Sequence, residues 1–366
     1  MKTWDVVIIG AGIIGLSLAI SLRKQGLRVL VVERGEPGRE ASSAAAGMLV
    51  GSGTGLPPAL QALAEDSARM YPEFVHELED ESGLKVDLRE EGTILLDGEA
   101  EFSREAQPLG AENLSSLEPA ITGPGIRKFA AAYLRERSVD PRQLVSAALK
   151  AARHRGVDIS SGSQVEQSLI ERERITGVRT AQTSYASAIV VNCMGAWAGA
   201  IGPHKFPVRP VKGQMLATVG GPELKHVIRG AHVYLVPRSD GRIVIGSTLE
   251  DAGFNKQTDA DAIEKIFQAA TELVPGLSNS RRHEDWAGLR PGTPDNLPIV
   301  GETASRGYFV ATGHYRDGIL LAPITAQLMT DLILRRNLIH DLTSFSPARF
   351  DRMHHGDTET RRRGAK

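Results

Sequence analysis
The sequence reads as an α/β protein of two domains, and three observations lead there. Residues 6–9 are a short apolar run closed at once by Gly10-Ala11-Gly12-Ile13-Ile14-Gly15. Helical spacing follows, then a second apolar run that ends in an acid, Glu33. Residues 208–249 change character, to short runs that read as antiparallel strands with a hairpin turn between them, the mark of a separate sheet-and-helix layer.

Val6–Ile9 has no polar alternation, as expected of a parallel strand buried on both faces. In the turn, Gly10 permits the tight bend, Gly12 lets backbone approach a pyrophosphate, and Gly15 lets the next helix pack close to the strand. Ile14, Leu18 and Leu22 share one face of a helix over 13–25, and Gly26 is a natural stop. Leu27–Val32 is the second buried strand. Glu33 lies 23 residues beyond Gly10, where a carboxylate would meet a ribose hydroxyl. Strand, turn, helix, strand and acid in that order describe a Rossmann-like dinucleotide site. The pattern alone does not separate NAD from FAD, and Glu33 has a second reading as the simple end of a strand.

With 366 residues the chain can bury two cores. Its 41% hydrophobic and 24% charged residues are those of a soluble globular protein. A formal net charge of −1 argues against nucleic-acid binding through phosphate contacts. Cys193, the one cysteine, has no intrachain partner, so a reducing compartment and a cytoplasmic location are expected. The apolar start is in glycine-fingerprint register and lacks a cleavage site, so it is not read as a secretory signal. No stretch reaches the ~18 apolar residues of a membrane span. The ten histidines show no metal-site spacing.

Residues 35–56 are rich in glycine, alanine and serine and include Ala41, Ser42, Ser43, Ala46, Gly47 and Met48. They suit a flexible loop, or a wrap around the middle of a long dinucleotide. Helices are expected over Leu60–Ser82 and, capped by Asp140 with Pro141 at its first position, to Arg153. Residues 97–126 read as irregular with a short helix at Ser115–Pro119. Strands follow at 156–160, at 164–170 (with Val165) and at 175–180. Ala188–Asn192 ends at another glycine-rich turn, where the nucleotide domain resumes. Val208–Val219, His232–Pro237 and Arg242–Thr248 form the antiparallel layer, with Ser239-Asp240-Gly241 as a hairpin turn. An amphipathic helix spans Asp259–Val274. Buried strands return at 297–301 and 307–312, and a helix is expected over Ile319–Arg335. The resulting division is a dinucleotide domain of 1–82, 140–207 and 289–345, an inserted antiparallel-sheet substrate domain of 83–139 and 208–288, and a flexible polar tail, 346–366.

Three segments carry the candidate chemistry. Arg290, in Trp286-Ala-Gly-Leu-Arg290-Pro, lies in an apolar, proline-bounded stretch, so it needs an anion: a bound carboxylate gripped as a two-point fork, or a structural acid. Gly313-His314-Tyr315-Arg316-Asp317-Gly318-Ile319-Leu320 leads into a helix whose start carries partial positive charge. It would stabilise the anion of a reduced flavin, or be an ordinary strand-to-helix turn. Tyr234 shares a strand face with Val236 and would offer its hydroxyl to a substrate, or fill a sheet rim.

From residue 4 to about residue 340 the chain resembles the D-amino acid oxidase superfamily of flavoproteins, and within it the glycine oxidases of thiamine biosynthesis. The motifs are the fingerprint with Glu33-Arg34, Ala41–Leu49, Arg209-Pro-Val-Lys-Gly-Gln214, Tyr234-Leu-Val-Pro-Arg238, Trp286–Pro291 and Gly313–Leu320. The resemblance implies a Rossmann-like FAD-binding domain with FAD extended and its isoalloxazine at the domain boundary. It places the adenosine end on Gly10, Gly12, Ile13, Ile14, Gly15, Glu33, Arg34 and Val165. Ala41, Ser42 and Ser43 belong to the same cofactor-binding set. Ala46–Met48 and His314–Leu320 would surround the flavin ring. Arg290 would pair with the substrate carboxylate, aided by Tyr234, with Arg316 near ring and substrate. Leu249 stands where glycine oxidases can carry a pocket methionine. Related sarcosine oxidases attach flavin through a cysteine near the position of Leu289; none is there, so non-covalent FAD is implied.

The implied reaction is oxidative deamination of glycine, sarcosine or a small D-amino acid. Hydride leaves the α-carbon for the flavin, dioxygen is the acceptor, and hydrogen peroxide, imino or 2-oxo acid, and ammonia or amine are the products. The implied setting is thiamine thiazole synthesis in a homotetramer. A D-amino acid dehydrogenase feeding quinone is the rival, and an NAD-dependent enzyme or a non-catalytic dinucleotide sensor stands behind it.

Overall fold
The computed structural model describes residues 3–51, 56–97, 105–122, 130–202 and 204–350. The tail from Asp351, with Arg361, lies outside them, as do residues 52–55 of the small-residue stretch and 98–104 and 123–126 of the segment read as irregular.

Two compact units emerge. The first comprises Met1–Arg39, Ala148–Arg209 and Arg290–Lys366, the second Glu40–Ala147 and Pro210–Leu289. In the first, a six-stranded sheet runs Ile299–Glu302, Tyr308–Thr312, Val190–Asn192, Val6–Ile9, Val29–Val32, Asp158–Ser160. All neighbours are parallel except the first two strands. Val6, Val7, Ile8 and their counterparts Val190 and Val191 are fully buried, which is why these runs show no polar alternation. The helices Ile13–Lys24 and Ala322–Ile333 pack on each other beside this sheet. Gly26 adopts φ +81° and ends the first of them, as its position predicts. A three-stranded antiparallel sheet, Val165–Glu171, Arg174–Thr180 and Ser184–Ala186, completes the unit.

The second unit is built on an eight-stranded sheet. Its order is Arg281–Gly292, Arg209–Val219, Ile243–Gly246, Tyr234–Pro237, Val227–Arg229, Thr93–Asp97, Ala130–Leu134, Gln107–Leu109. The expected hairpin pairs Pro237 with Ile243 around a turn in which Gly241 takes φ +83°. One face, with Leu216, Leu235 and Ile245, packs against the helix Ala260–Leu273 through Ile263, Ile266 and Ala270. The opposite face gathers Met215, Val236 and Val244 with Ala46, and Met48, Tyr234 and Trp286 at its margin. A fourth, small sheet joins Met48–Leu49, Arg137–Val139 and Leu88–Arg89.

Several boundaries differ from the sequence reading. The segment read as irregular contains the strand Gln107–Leu109, and its helix is Ala111–Leu117, one turn earlier than expected, because Leu114 docks into the core. Ala41–Ala44 is a helical turn within the small-residue stretch. The last long helix begins at Ala322; Ile319–Leu321 form the turn that feeds it, with the Leu321 N–H on the Asp317 carbonyl. Asp140 caps its helix as expected, its Oδ1 accepting the N–H groups of Arg142 and Gln143 at 2.8 and 3.2 Å. Among the described residues no helix is long and apolar enough to cross a membrane.

Candidate functional site
In the first unit two glycines of the fingerprint, Gly10 and Gly15, are sterically required. A Cβ on Gly10, which sits at φ +104°, would lie 2.6 Å from the Cys193 carbonyl oxygen. One on Gly15 would lie 2.1 Å from the Gly10 carbonyl oxygen. Gly12 is the N-cap of the Ile13–Lys24 helix, and the first turn holds no acidic residue. The helix therefore offers its positive end without a carboxylate in its first turn, a setting suited to a pyrophosphate.

Glu33 is tied to this turn. Its Oε2 accepts the Ala11 N–H at 2.8 Å and its Oε1 accepts the Gly35 N–H at 3.0 Å. An ionised carboxylate has about four lone-pair sites, so acceptor capacity for a ribose diol remains. Next to it, the Arg34 guanidinium lies 3.8 Å from the centre of the Trp197 ring. Val165 is buried and packs with Leu30 and Val32, behind the strand that ends at Glu33, and Ser163 donates its N–H to the Glu33 carbonyl. Close glycine turns, an open helix start and a carboxylate beyond the second strand are the donor set a dinucleotide needs, and the residues fit FAD.

The same unit joins two other predicted segments. Pro291, which follows Arg290, accepts the Tyr315 N–H at 3.1 Å, so the end of the Arg281–Gly292 strand is bonded to the Gly313–Gly318 turn. Gly313 takes φ +74° against Thr293, and Tyr315 takes φ +48°. Arg290 is half-buried; Arg316 is exposed, its guanidinium 5.2 Å from the Tyr315 ring. His314 is buried and its Nε2 is 3.1 Å from Thr325 Oγ1; burial pushes its pKa down to about 4, so its ring is neutral. Asp317 donates its N–H to the His314 carbonyl, while Ile319 and Leu320 are buried. Cys193 is buried at a strand end, and burial pushes its thiol well above the ordinary range.

In the second unit the Ala41–Met48 segment is held from several sides. Gly47 takes φ +78°, and a Cβ there would sit 1.9 Å from the Val139 carbonyl oxygen. Trp286 Nε1 donates to the Ala44 carbonyl at 3.1 Å, and Arg142 Nε to that of Ser43 at 3.4 Å. Arg142 also stacks on Trp286 at 4.7 Å and pairs with Glu284 at 2.7 Å. Buried Arg238 donates to the carbonyls of Ala46 and Val139 at 2.6 and 3.1 Å. In the sequence Arg238 stands in the Tyr234–Arg238 motif with no role of its own; its one local signal is an arginine directly after the Tyr234–Pro237 strand. Tyr234 is half-buried; its hydroxyl meets Met215 Sδ at 3.0 Å, and its ring covers Gly246. Leu249 is 56% exposed and stands outside the cluster around Tyr234.

A family model described as "DAO: FAD dependent oxidoreductase" matches residues 5–332. The chain is 35% identical over 359 residues to a glycine oxidase of Pseudomonas putida, covering 94% of this chain and 98% of that protein. It is 36% identical to a bifunctional protein ThiO/ThiG of Trichormus variabilis, with 96% of this chain covered but only 56% of the relative's length. Among solved structures, glycine oxidase from Geobacillus kaustophilus superposes with a TM-score of 0.88 at 30% identity, covering 94% of this chain and 98% of that one.

Proposed function
The chain belongs to the DAO family of FAD-dependent oxidoreductases, and we propose that it is an oxidase of glycine and other small amino acids, including sarcosine and D-amino acids, serving thiamine thiazole synthesis. The observation that carries this reading is the bond from the Tyr315 N–H to the Pro291 carbonyl. It ties the backbone of the Arg290 segment to that of the Arg316 turn, which supports the assignment of both arginines to one anionic substrate. The relatives named glycine oxidase and ThiO/ThiG support the choice of substrate and setting.

FAD, when bound, would supply the two-electron acceptor, with dioxygen as the terminal oxidant and hydrogen peroxide as its product. The chain's own residues place and orient. Arg290 receives the substrate carboxylate as a two-point fork, with the Tyr234 hydroxyl as a second donor. Arg316 would add positive field near the same carboxylate; Leu249, exposed and outside the Tyr234 cluster, would meet the substrate only from its solvent side. A neutral substrate amine needs no protein base, so the residues act through placement and field. Gly10, Gly12, Ile13, Ile14, Gly15, Glu33, Arg34 and Val165 would hold the adenosine and pyrophosphate end of the cofactor. Ala41–Ser43, Ala46–Met48 and His314–Leu320 would line the rest. Attachment would be non-covalent: the position beside Arg290 is the buried Leu289, and the one cysteine, Cys193, lies just beyond the Val190–Asn192 strand.

A homotetramer in the cytoplasm completes the proposal. A peroxide assay in air across glycine, sarcosine, D-alanine and D-proline tests it, with light scattering for subunit number. Peroxide from glycine or sarcosine is expected. Electron transfer to a quinone with no peroxide from any of the four would replace the oxidase with the dehydrogenase.

A further inference from the structure
We propose that Arg238 is a positioning residue for the flavin: together with Trp286 it fixes the backbone of Ala44–Gly47, the segment that borders the ring. This rests on the reading above that Ala46–Met48 line the flavin.

Arg238 follows the Tyr234–Pro237 strand, and its side chain is only 2% exposed. Such a guanidinium needs strong compensation. Asp140 is the nearest acid, but its Oδ2 stands 3.9 Å from Arg238 Nε and is taken by Arg242 at 2.9 Å. The other oxygen of Asp140 is taken by the amides of Arg142 and Gln143. Arg238 Nε has no hydrogen-bond partner. Its hydrogen bonds go instead to two neutral backbone carbonyls, Ala46 and Val139, on either side of the close Gly47–Val139 approach. Ion pairing alone therefore does not account for where this arginine points; ordering those two carbonyls does.

Trp286 does the same for Ala44, and Gly288 lets the Arg281–Gly292 strand come close enough, since a Cβ there would be 2.6 Å from the Ala44 Cβ. A trans peptide is planar, with its N–H opposed to its C=O. Fixing the Ala44 and Ala46 carbonyls thus also fixes the Ala45 and Gly47 N–H groups, which point away from Trp286 and Arg238. Nothing in Ala44-Ala45-Ala46-Gly47 itself would impose this; alanine and glycine carry no side-chain donor or acceptor. Two amides held in a set direction are suited to the acceptor edge of an oxidised flavin, whose ring nitrogen and carbonyl oxygens accept hydrogen bonds.

The test uses the full chain with R238M, R238K and W286F. Phenylalanine keeps most of the aromatic volume while removing the indole N–H. Three readouts are taken: the Kd for FAD on titrating apoprotein, the visible absorption of the bound flavin, and the melting temperature of the apoprotein. R238M should weaken FAD binding roughly tenfold, the order of a lost charge-assisted bond, with R238K in between. W286F should weaken it about threefold, as for a neutral bond, and displace the flavin absorption bands while leaving the apoprotein melting temperature unchanged. A purely structural role would not produce that combination. Should R238M fail to fold, R238K and W286F decide. Wild-type Kd and unshifted bands in R238K and W286F would overturn the proposal. Absence of FAD from the wild-type protein would instead remove the reading beneath it.

Discussion

Acidification should destabilise this protein through His314, by an amount that can be worked out. The ring is 3% exposed and bonded to Thr325, and burial lowers its pKa from 6.5 to about 4. The folded-state value is below the unfolded one, so on lowering the pH the unfolded chain takes up the proton first. Stability from this group is intact above pH 6.5 and drains away towards pH 4. A proton bound only by the unfolded state changes stability by about 1.4 kcal/mol per pH unit, and allowing for partial titration at the upper end, moving from about pH 7 to about pH 5 removes about 2 kcal/mol. Urea unfolding of the wild type and of His314→Gln at both pH values isolates the term, because the carboxylates are common to both proteins. The stability gap between them should shift by about 2 kcal/mol in favour of the variant at the lower pH. Parallel changes in the two proteins would refute it, and would mean that His314 is protonated in the folded state as readily as in the unfolded one.

Three further outcomes are expected. Glu33→Ala should leave more apoprotein after dialysis than Glu33→Gln, since glutamine keeps an acceptor for the Ala11 N–H; equal FAD retention by wild type and both variants would make Glu33 no more than the end of a strand. Gly47→Ala should cost about 2 kcal/mol or more, from positive φ and collision with the Val139 carbonyl, so a wild-type urea midpoint would contradict the geometry at that turn. Arg290→Ala should forfeit ~1.5–3 kcal/mol of transition-state binding, roughly tenfold or more in kcat/KM. The loss should fall on amino acids and spare a substrate amine without a carboxylate; equal losses on both would assign Arg290 a structural acid instead.

What the sequence discloses here is what is local. The fingerprint turn is legible because the spacing of Gly10, Gly12, Gly15 and Glu33 falls within one strand–helix–strand unit, and the reasons at Gly15 and Glu33 are confined to it: Gly15 clears the Gly10 carbonyl and Glu33 accepts the Ala11 N–H. Asp140 is legible as a cap because the amides it accepts are two and three residues away. The Gln107–Leu109 strand is hidden because it is a three-residue sheet edge that carries Pro108, which an edge tolerates and a strand pattern does not announce. The start of the last helix is misplaced because Ile319, Leu320 and Leu321 are all buried, as helix residues would be, while their bonding is that of a turn.

The two stretches assigned to the cofactor show why legibility differs so sharply between them. At Gly10–Gly15 the chain clears space and presents a helix start, and both properties are carried by glycines whose spacing is visible in the sequence, even though Gly10 clears the distant Cys193 carbonyl. At Ala41–Met48 small side chains clear space as well, but they leave the backbone undetermined. Its direction is imposed by Arg142, Arg238 and Trp286, which lie roughly 100 to 240 residues further along the chain. A local motif search sees the alanines and glycine and reads either a linker or a wrap, because both are compatible with side chains that specify nothing. The difference also sets where substitutions will be felt. Changes within the fingerprint act at their own position through sterics, whereas the geometry of Ala44–Gly47 is vulnerable at donors that no nearby sequence marks. An arginine such as Arg238 then becomes intelligible only once its two carbonyl partners are known.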